Sequence, residues 1–161
     1  MSYRILKGNT DHSGSTVGIV VAKWNSFITD ELLSGALEVL SQKGIRDEQV
    51  VIGYCPGAYE IPFTAKQLLP GVDGVIALGA VIRGDTPHFH YVCDAANKGV
   101  VDLNIQGNKP VVFGVLTTDN IQQAQERAGL VEGGKGNKGA EAALALLEMI
   151  DLNRQISQLG R

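Results

Sequence analysis

The sequence predicts an α/β protein: a three-layer α/β/α sandwich on a four-stranded parallel sheet. Three observations lead there. Residues 17–22 and 75–82 are nearly unbroken apolar runs, too short to span a bilayer and suited to strands buried on both faces. Between the strand-like runs lie segments whose apolar residues recur at helical spacing. Strand and helix then alternate along the chain, which implies parallel strands joined by right-handed crossovers. At 161 residues the chain suits one domain, 1–161, with a real core.

The elements follow in order. Residues 1–16 read as a polar, Gly-containing arm with a short strand at 3–6. Strand 17–22 ends at Lys23-Trp24-Asn25, where Asn25 or Ser26 can cap a helix. Helix 27–43 places Ile28, Leu32, Leu33, Ala36, Leu37 and Leu40 on one face, and Gly44 closes it. Strand 50–55 is broken by Pro56-Gly57, and 58–69 is helical up to Pro70-Gly71. Strand 75–82 is central. Arg83-Gly84-Asp85 turns the chain, Thr86 caps the next helix, and Pro87 fits its first position. That helix runs to about Gln106. Strand 110–116 follows, then a helix capped by Asp119 and ending at Arg127, a Gly- and Lys-rich loop at 129–139, and a final amphipathic helix at 140–158. The simplest architecture with this alternation is flavodoxin-like.

The composition excludes several classes. Fourteen Lys and Arg stand against 17 Asp and Glu, a formal net charge of −3, so no nucleic-acid partner is expected. No run approaches the ~20 apolar residues of a membrane span, and the first residues lack the apolar core of a signal peptide. Cys55 and Cys93 are the only cysteines, which fits a reducing cytoplasm and small core side chains.

Parallel sheets bind ligands beyond the carboxyl ends of their strands. Four loops leave those ends, carrying Trp24-Asn25, Gly57-Ala58-Tyr59-Glu60, Arg83-Gly84-Asp85-Thr86-Pro87-His88 and Thr117-Thr118-Asp119. The third is the richest. Bare N–H groups and the positive dipole end of its helix attract a phosphate, and His88 in the first turn can move protons near neutral pH. Trp24 can stack on a flat heterocycle or simply fill the core. Glu60 can bind ligand or stabilise a helix start, Arg127 can grip an anion or sit favourably at a helix end, and Phe113 can be core. His88 and His90 point apart on a helix, so a metal is not expected with Cys93 and Asp94. The loop 133–139 lacks the Gly-Lys-Ser/Thr ending of a phosphate-binding loop, and nothing near Gly18 makes a dinucleotide fingerprint.

Taken together, these residues resemble the lumazine synthase family of riboflavin biosynthesis, from about Val17 to Leu152. The resemblance rests on Pro56-Gly57-Ala58-Tyr59-Glu60-Ile61-Pro62, on Gly79-Ala80-Val81-Ile82-Arg83-Gly84-Asp85-Thr86-Pro87-His88-Phe89, on Phe113-Gly114-Val115-Leu116-Thr117-Thr118, on Gln123-Ala124-Gln125-Glu126-Arg127-Ala128-Gly129 and on Gly136-Asn137-Lys138-Gly139, in that order and spacing. It implies a transferase that condenses 5-amino-6-(D-ribitylamino)uracil with 3,4-dihydroxy-2-butanone 4-phosphate, giving 6,7-dimethyl-8-ribityllumazine, phosphate and water, with no metal or other cofactor. It implies that Trp24 stacks on the pyrimidine, that Ala58, Tyr59 and Glu60 line the ribityl pocket, and that Ala80, Val81 and Ile82 meet the uracil edge. Asp85 and Thr86 would frame the phosphate and His88 would transfer protons. Phe113 and Arg127 would come from a neighbouring subunit of a homopentamer, and Lys138 matches a lysine of the final linker.

The same resemblance opens assembly into a 60-subunit shell and association with riboflavin synthase. The chain departs from the family in two places. His90 stands where relatives carry an acidic residue, and residues 130–137 form a longer linker than in shell-building relatives, which would oppose packing of pentamer on pentamer. The alternative reading is a non-catalytic flavin or lumazine carrier, or a shell protein, on the same fold.

Overall fold

Two apolar runs set the centre of the molecule. The computed structural model describes residues 3–11 and 14–159; residues 1, 2, 12 and 13 of the expected arm lie outside them. The order is β1 (Val17–Ala22), α1 (Ser26–Gln42), β2 (Val50–Cys55), α2 (Ile61–Leu68), β3 (Gly74–Ile82), α3 (His88–Gln106), β4 (Val111–Thr118), α4 (Ile121–Arg127) and α5 (Lys138–Ser157). All strand pairs are parallel, in the order β2-β1-β3-β4. Among the described residues no helix is long and apolar enough to cross a membrane.

Side chains alternate across a strand, so a continuous apolar run supplies two cores at once. Ile19, Val21, Ile76 and Leu78 pack with Leu32 of α1 and Leu146 and Leu147 of α5. Val20, Ala22, Val75 and Ala77 face the other way, onto Ile61 of α2 and Ala96 and Val100 of α3. This is the expected three-layer sandwich. Each fully buried Leu or Ile here contributes about 1.5–3 kcal/mol. Helix α5 approaches α1 so closely at Gly139 that a Cβ there would fall 1.9 Å from the Leu32 carbonyl oxygen. The edge strands are wetter: Val51, Ile52 and Tyr54 of β2 and Phe113 of β4 are exposed.

Several expectations shift in detail. The region 58–69 splits into a 3-10 turn at Ala58–Glu60, α2, and a second such turn at Leu69–Gly71. Strand β4 runs two residues beyond 116 because Thr117 and Thr118 pair with Val81 and Ile82. Pro87 lies one residue before α3 rather than in it, while the Thr86 hydroxyl accepts from the His88 N–H at 3.4 Å. Helix α4 is capped by Asn120, whose side chain accepts from the Gln123 N–H; Asp119 is instead drawn to Arg83. Asn137 caps α5 through Gly139 and Ala140, so that helix starts two residues early. Gly44 ends α1 with φ of 81°, as its position suggested.

The expected strand at 3–6 is absent. A strand exists only through a partner ladder, and the arm is instead drawn onto α5. The Asn9 N–H and side-chain amide donate to Asp151, and the Gln155 amide donates to the Lys7 carbonyl.

Candidate active site

Three of the four loops at the carboxyl edge converge on one cavity of about 610 Å³, a volume suited to a small molecule. Trp24 and Asn25 come from the end of β1, and Gly57, Ala58, Tyr59 and Glu60 from the turn after β2. Ala80, Val81 and Ile82 are the last residues of β3. Gly84, Thr86, His88, Phe89 and Val92 belong to the β3–α3 junction and the start of α3. Trp24 and His88 therefore share a cavity. Asp85 is exposed and does not line it.

Trp24 is 73% exposed, so it is not a core residue. Its ring edge stands beside Gly57, in the space a side chain at that position would enter. Glu60 uses one carboxylate oxygen to accept from the Gly57 N–H at 2.9 Å, which rigidifies the turn and leaves the second oxygen for a ligand hydroxyl. Of the first amides of α3, the His90 N–H donates to the Pro87 carbonyl at 2.9 Å, while the His88 N–H is weakly held. Among the described residues the only hydrogen-bond partner of the His88 N–H, the Thr86 hydroxyl, is at the long limit of a hydrogen bond. An anion fits there.

Phe113, Arg127 and Lys138 are not part of this cavity. They line a second concavity of about 470 Å³, with Thr117 of β4 and Glu141 of α5. The two cavities share no lining residue. Arg127 donates to the Gln123 carbonyl at 3.0 Å, which aims the guanidinium back along α4. Lys138 opens α5, rather than lying in the linker, and its ammonium meets Glu141 at 2.8 Å. The fourth loop thus divides: Thr117 serves the second concavity, while Thr118 and Asp119 hold Arg83 at the first edge.

The charges are unevenly shared. Among the described residues the first cavity has no Lys or Arg, and Glu60 is its one carboxylate. The cations line the second concavity. Burial pushes the thiols of Cys55 and Cys93 above the usual range, Asp94 adding to the effect at Cys93, so neither is poised as a nucleophile. No group of three or more His, Cys, Asp or Glu among the described residues could hold a metal ion.

Sequence reasoning placed Asn25 in a loop at the ligand edge but gave it no role beyond a cap. It adopts φ of 59°, the left-handed conformation that Asn tolerates better than other side chains, and its amide donates to the Ala80 carbonyl at 2.8 Å. It thereby ties the Trp24 loop to the end of β3. Phe89 and Val92 were also passed over; their helical spacing from one another was the available signal.

A sequence model of the 6,7-dimethyl-8-ribityllumazine synthase family matches residues 14–154. The 6,7-dimethyl-8-ribityllumazine synthase of Lactiplantibacillus plantarum is 46% identical over 151 residues, covering 92% of this chain and 93% of that protein. The protein of the same name from Desulfatibacillum aliphaticivorans is 46% identical over 154 residues, covering 94% of this chain and 97% of its own length. Matches of this extent, over the strands and junctions that build the cavity, show that the chain belongs to the 6,7-dimethyl-8-ribityllumazine synthase family.

Proposed function

We propose that the chain is a transferase of riboflavin biosynthesis, condensing 5-amino-6-(D-ribitylamino)uracil with 3,4-dihydroxy-2-butanone 4-phosphate at sites formed between subunits of a homopentamer. One observation carries the composite site: the cavity with the anion-binding helix end has no cation, and the cations line another face of the same chain. A dianionic phosphate held by backbone amides is better held with a guanidinium opposite. Arg127 of a second copy supplies it, with Phe113 and Lys138 closing over the ribitylaminouracil.

In this reading Trp24 stacks on the pyrimidine, and the free Glu60 oxygen accepts from a ribityl hydroxyl beside Ala58 and Tyr59. Backbone groups of Ala80, Val81 and Ile82 meet the uracil edge. Asp85 and Thr86 frame the phosphate through their N–H groups. The 5-amino nitrogen attacks the ketone and water leaves to give an imine. Loss of a carbon-bound proton then expels phosphate and leaves an enol, which takes up a proton at its terminal carbon to give a methyl ketone. The ribitylamino nitrogen attacks that ketone and closes the ring with loss of a second water. His88 moves protons in the first two steps. Holding both substrates in attack geometry supplies much of the rate.

The pentamer is supported by apolar surface that one chain leaves open, including Tyr91, Val101 and Ile105 on one face of α3. The linker before α5 opposes a 60-subunit shell and with it enclosure of riboflavin synthase. The two free cysteines suit the cytoplasm. Co-assembly of His88→Ala with Arg127→Ala subunits tests the composite site. At equal proportions about one quarter of the interfaces pair an intact cavity with an intact Arg127, and activity returns in that proportion. Activity no higher than the two parents would refute it.

A further inference from the structure

Arg83 directly follows β3 and lines neither cavity, yet it is held from four directions. Its backbone N–H donates to the Thr118 carbonyl at 2.8 Å. Its Nε donates to Asp119 at 2.8 Å, a terminal nitrogen meets His90 Nε2 at 3.2 Å, and the guanidinium lies 4.4 Å from the Phe89 ring centroid. A guanidinium can only donate, so His90 Nε2 accepts and the His90 proton sits on Nδ1 in this contact. Arg83 is thus fixed to the two residues that follow His88 and to the start of the β4–α4 junction.

The same junction continues toward Arg127. The Asp119 N–H donates to the Gln123 side-chain oxygen at 2.8 Å, and the Gln123 carbonyl accepts from Arg127 at 3.0 Å. Contacts therefore run from the first turn of α3 through Arg83 to the Asp119 carboxylate, and onward from the Asp119 backbone N–H to the Gln123 side chain and from the Gln123 backbone carbonyl to Arg127. The Arg83 and Asp119 side chains are 42% and 64% exposed. An exposed pair adds little to fold stability, so its consequence is orientation.

We infer that Arg83 and Asp119 are positioning residues for two sites at once. In the chain's own cavity they set the β3–α3 loop and the amides that receive the phosphate. Through Gln123 they set Arg127, which, on the reading proposed above, serves the neighbouring subunit's site. One subunit altered at this clamp impairs both interfaces it touches, whereas one altered at Arg127 impairs a single interface.

The test uses Asp119→Ala, Asp119→Asn and Arg83→Met in the full chain. Asp119→Ala and Arg83→Met are each expected to raise the KM for the phosphate substrate about tenfold, with the KM for the uracil substrate and the melting temperature little changed. Asp119→Asn keeps an acceptor oxygen and recovers most of the loss. Either variant is then co-assembled with wild type at graded ratios and assayed at subsaturating phosphate substrate. Activity should sag below the straight line joining the two pure assemblies, while Arg127→Ala mixtures follow the line. A straight line for Asp119→Ala and Arg83→Met, with the His88/Arg127 rescue still working, overturns the shared clamp alone. Failure of that rescue overturns the composite-site reading and this inference with it.

Discussion

Replacing Trp24 by Ala isolates ring stacking from folding. The indole is 73% exposed and anchors no core cluster, so the change should alter stability by no more than about 0.5 kcal/mol. Stacking of a base on an aromatic ring is worth about 1–3 kcal/mol. The Kd for the ribitylaminouracil should therefore rise by roughly 5- to 150-fold. Trp24→Phe keeps a smaller π-face and should stay within about fivefold of wild type. Trp24 is the only tryptophan, so its fluorescence reports the contact directly. Titrating wild type with the uracil substrate alone should change that emission to saturation, and calorimetry gives the Kd of the Ala variant. An unchanged Kd for Trp24→Ala, or an emission indifferent to saturating ligand, refutes the stacking role.

Other outcomes follow from the same geometry. His88→Ala should slow turnover about a hundredfold in steady-state kinetics without abolishing it; complete loss with intact binding would make positioning the lesser contribution. Arg127→Ala should raise the KM for the phosphate substrate roughly 10- to 100-fold, and an unchanged KM removes it from the site. Gly139→Ala pushes a methyl against the Leu32 carbonyl oxygen and should cost about 1–3 kcal/mol in denaturant unfolding; an unchanged midpoint contradicts the close α1–α5 contact. The raised pKa of both thiols means less thiolate at a given pH. Alkylation of the folded protein should therefore lag free cysteine at neutral pH and accelerate as pH climbs past the usual thiol range, with half-buried Cys93 reacting before buried Cys55. Modification at pH 7 as fast as free cysteine would contradict this.

The centre of the fold was readable because burial on both faces leaves a continuous apolar run, as in Val17–Ala22 and residues 75–82. Element ends were harder, because neighbouring polar residues compete for one job. Asp119 and Asn120 both can cap, and the choice is settled by Arg83, 36 residues away in sequence. The arm misled because a strand-like tetrapeptide says nothing of whether a partner edge is present. The gathering of Trp24, Glu60 and His88 at one cavity followed from the rule that parallel sheets open at their carboxyl edge. Periodicity held no sign of why Phe113, Arg127 and Lys138 stand apart, since their surroundings in one chain look like ordinary strand, helix-end and helix-start chemistry. Only the resemblance offered a second subunit as their destination.

The most direct measurement is to mix the purified chain with both substrates and follow lumazine absorbance together with free phosphate. The expected result is chromophore growth with one phosphate released per lumazine, depending on His88 and Arg127. Saturable binding of the uracil compound with neither chromophore nor phosphate would contradict a condensing enzyme and leave a carrier.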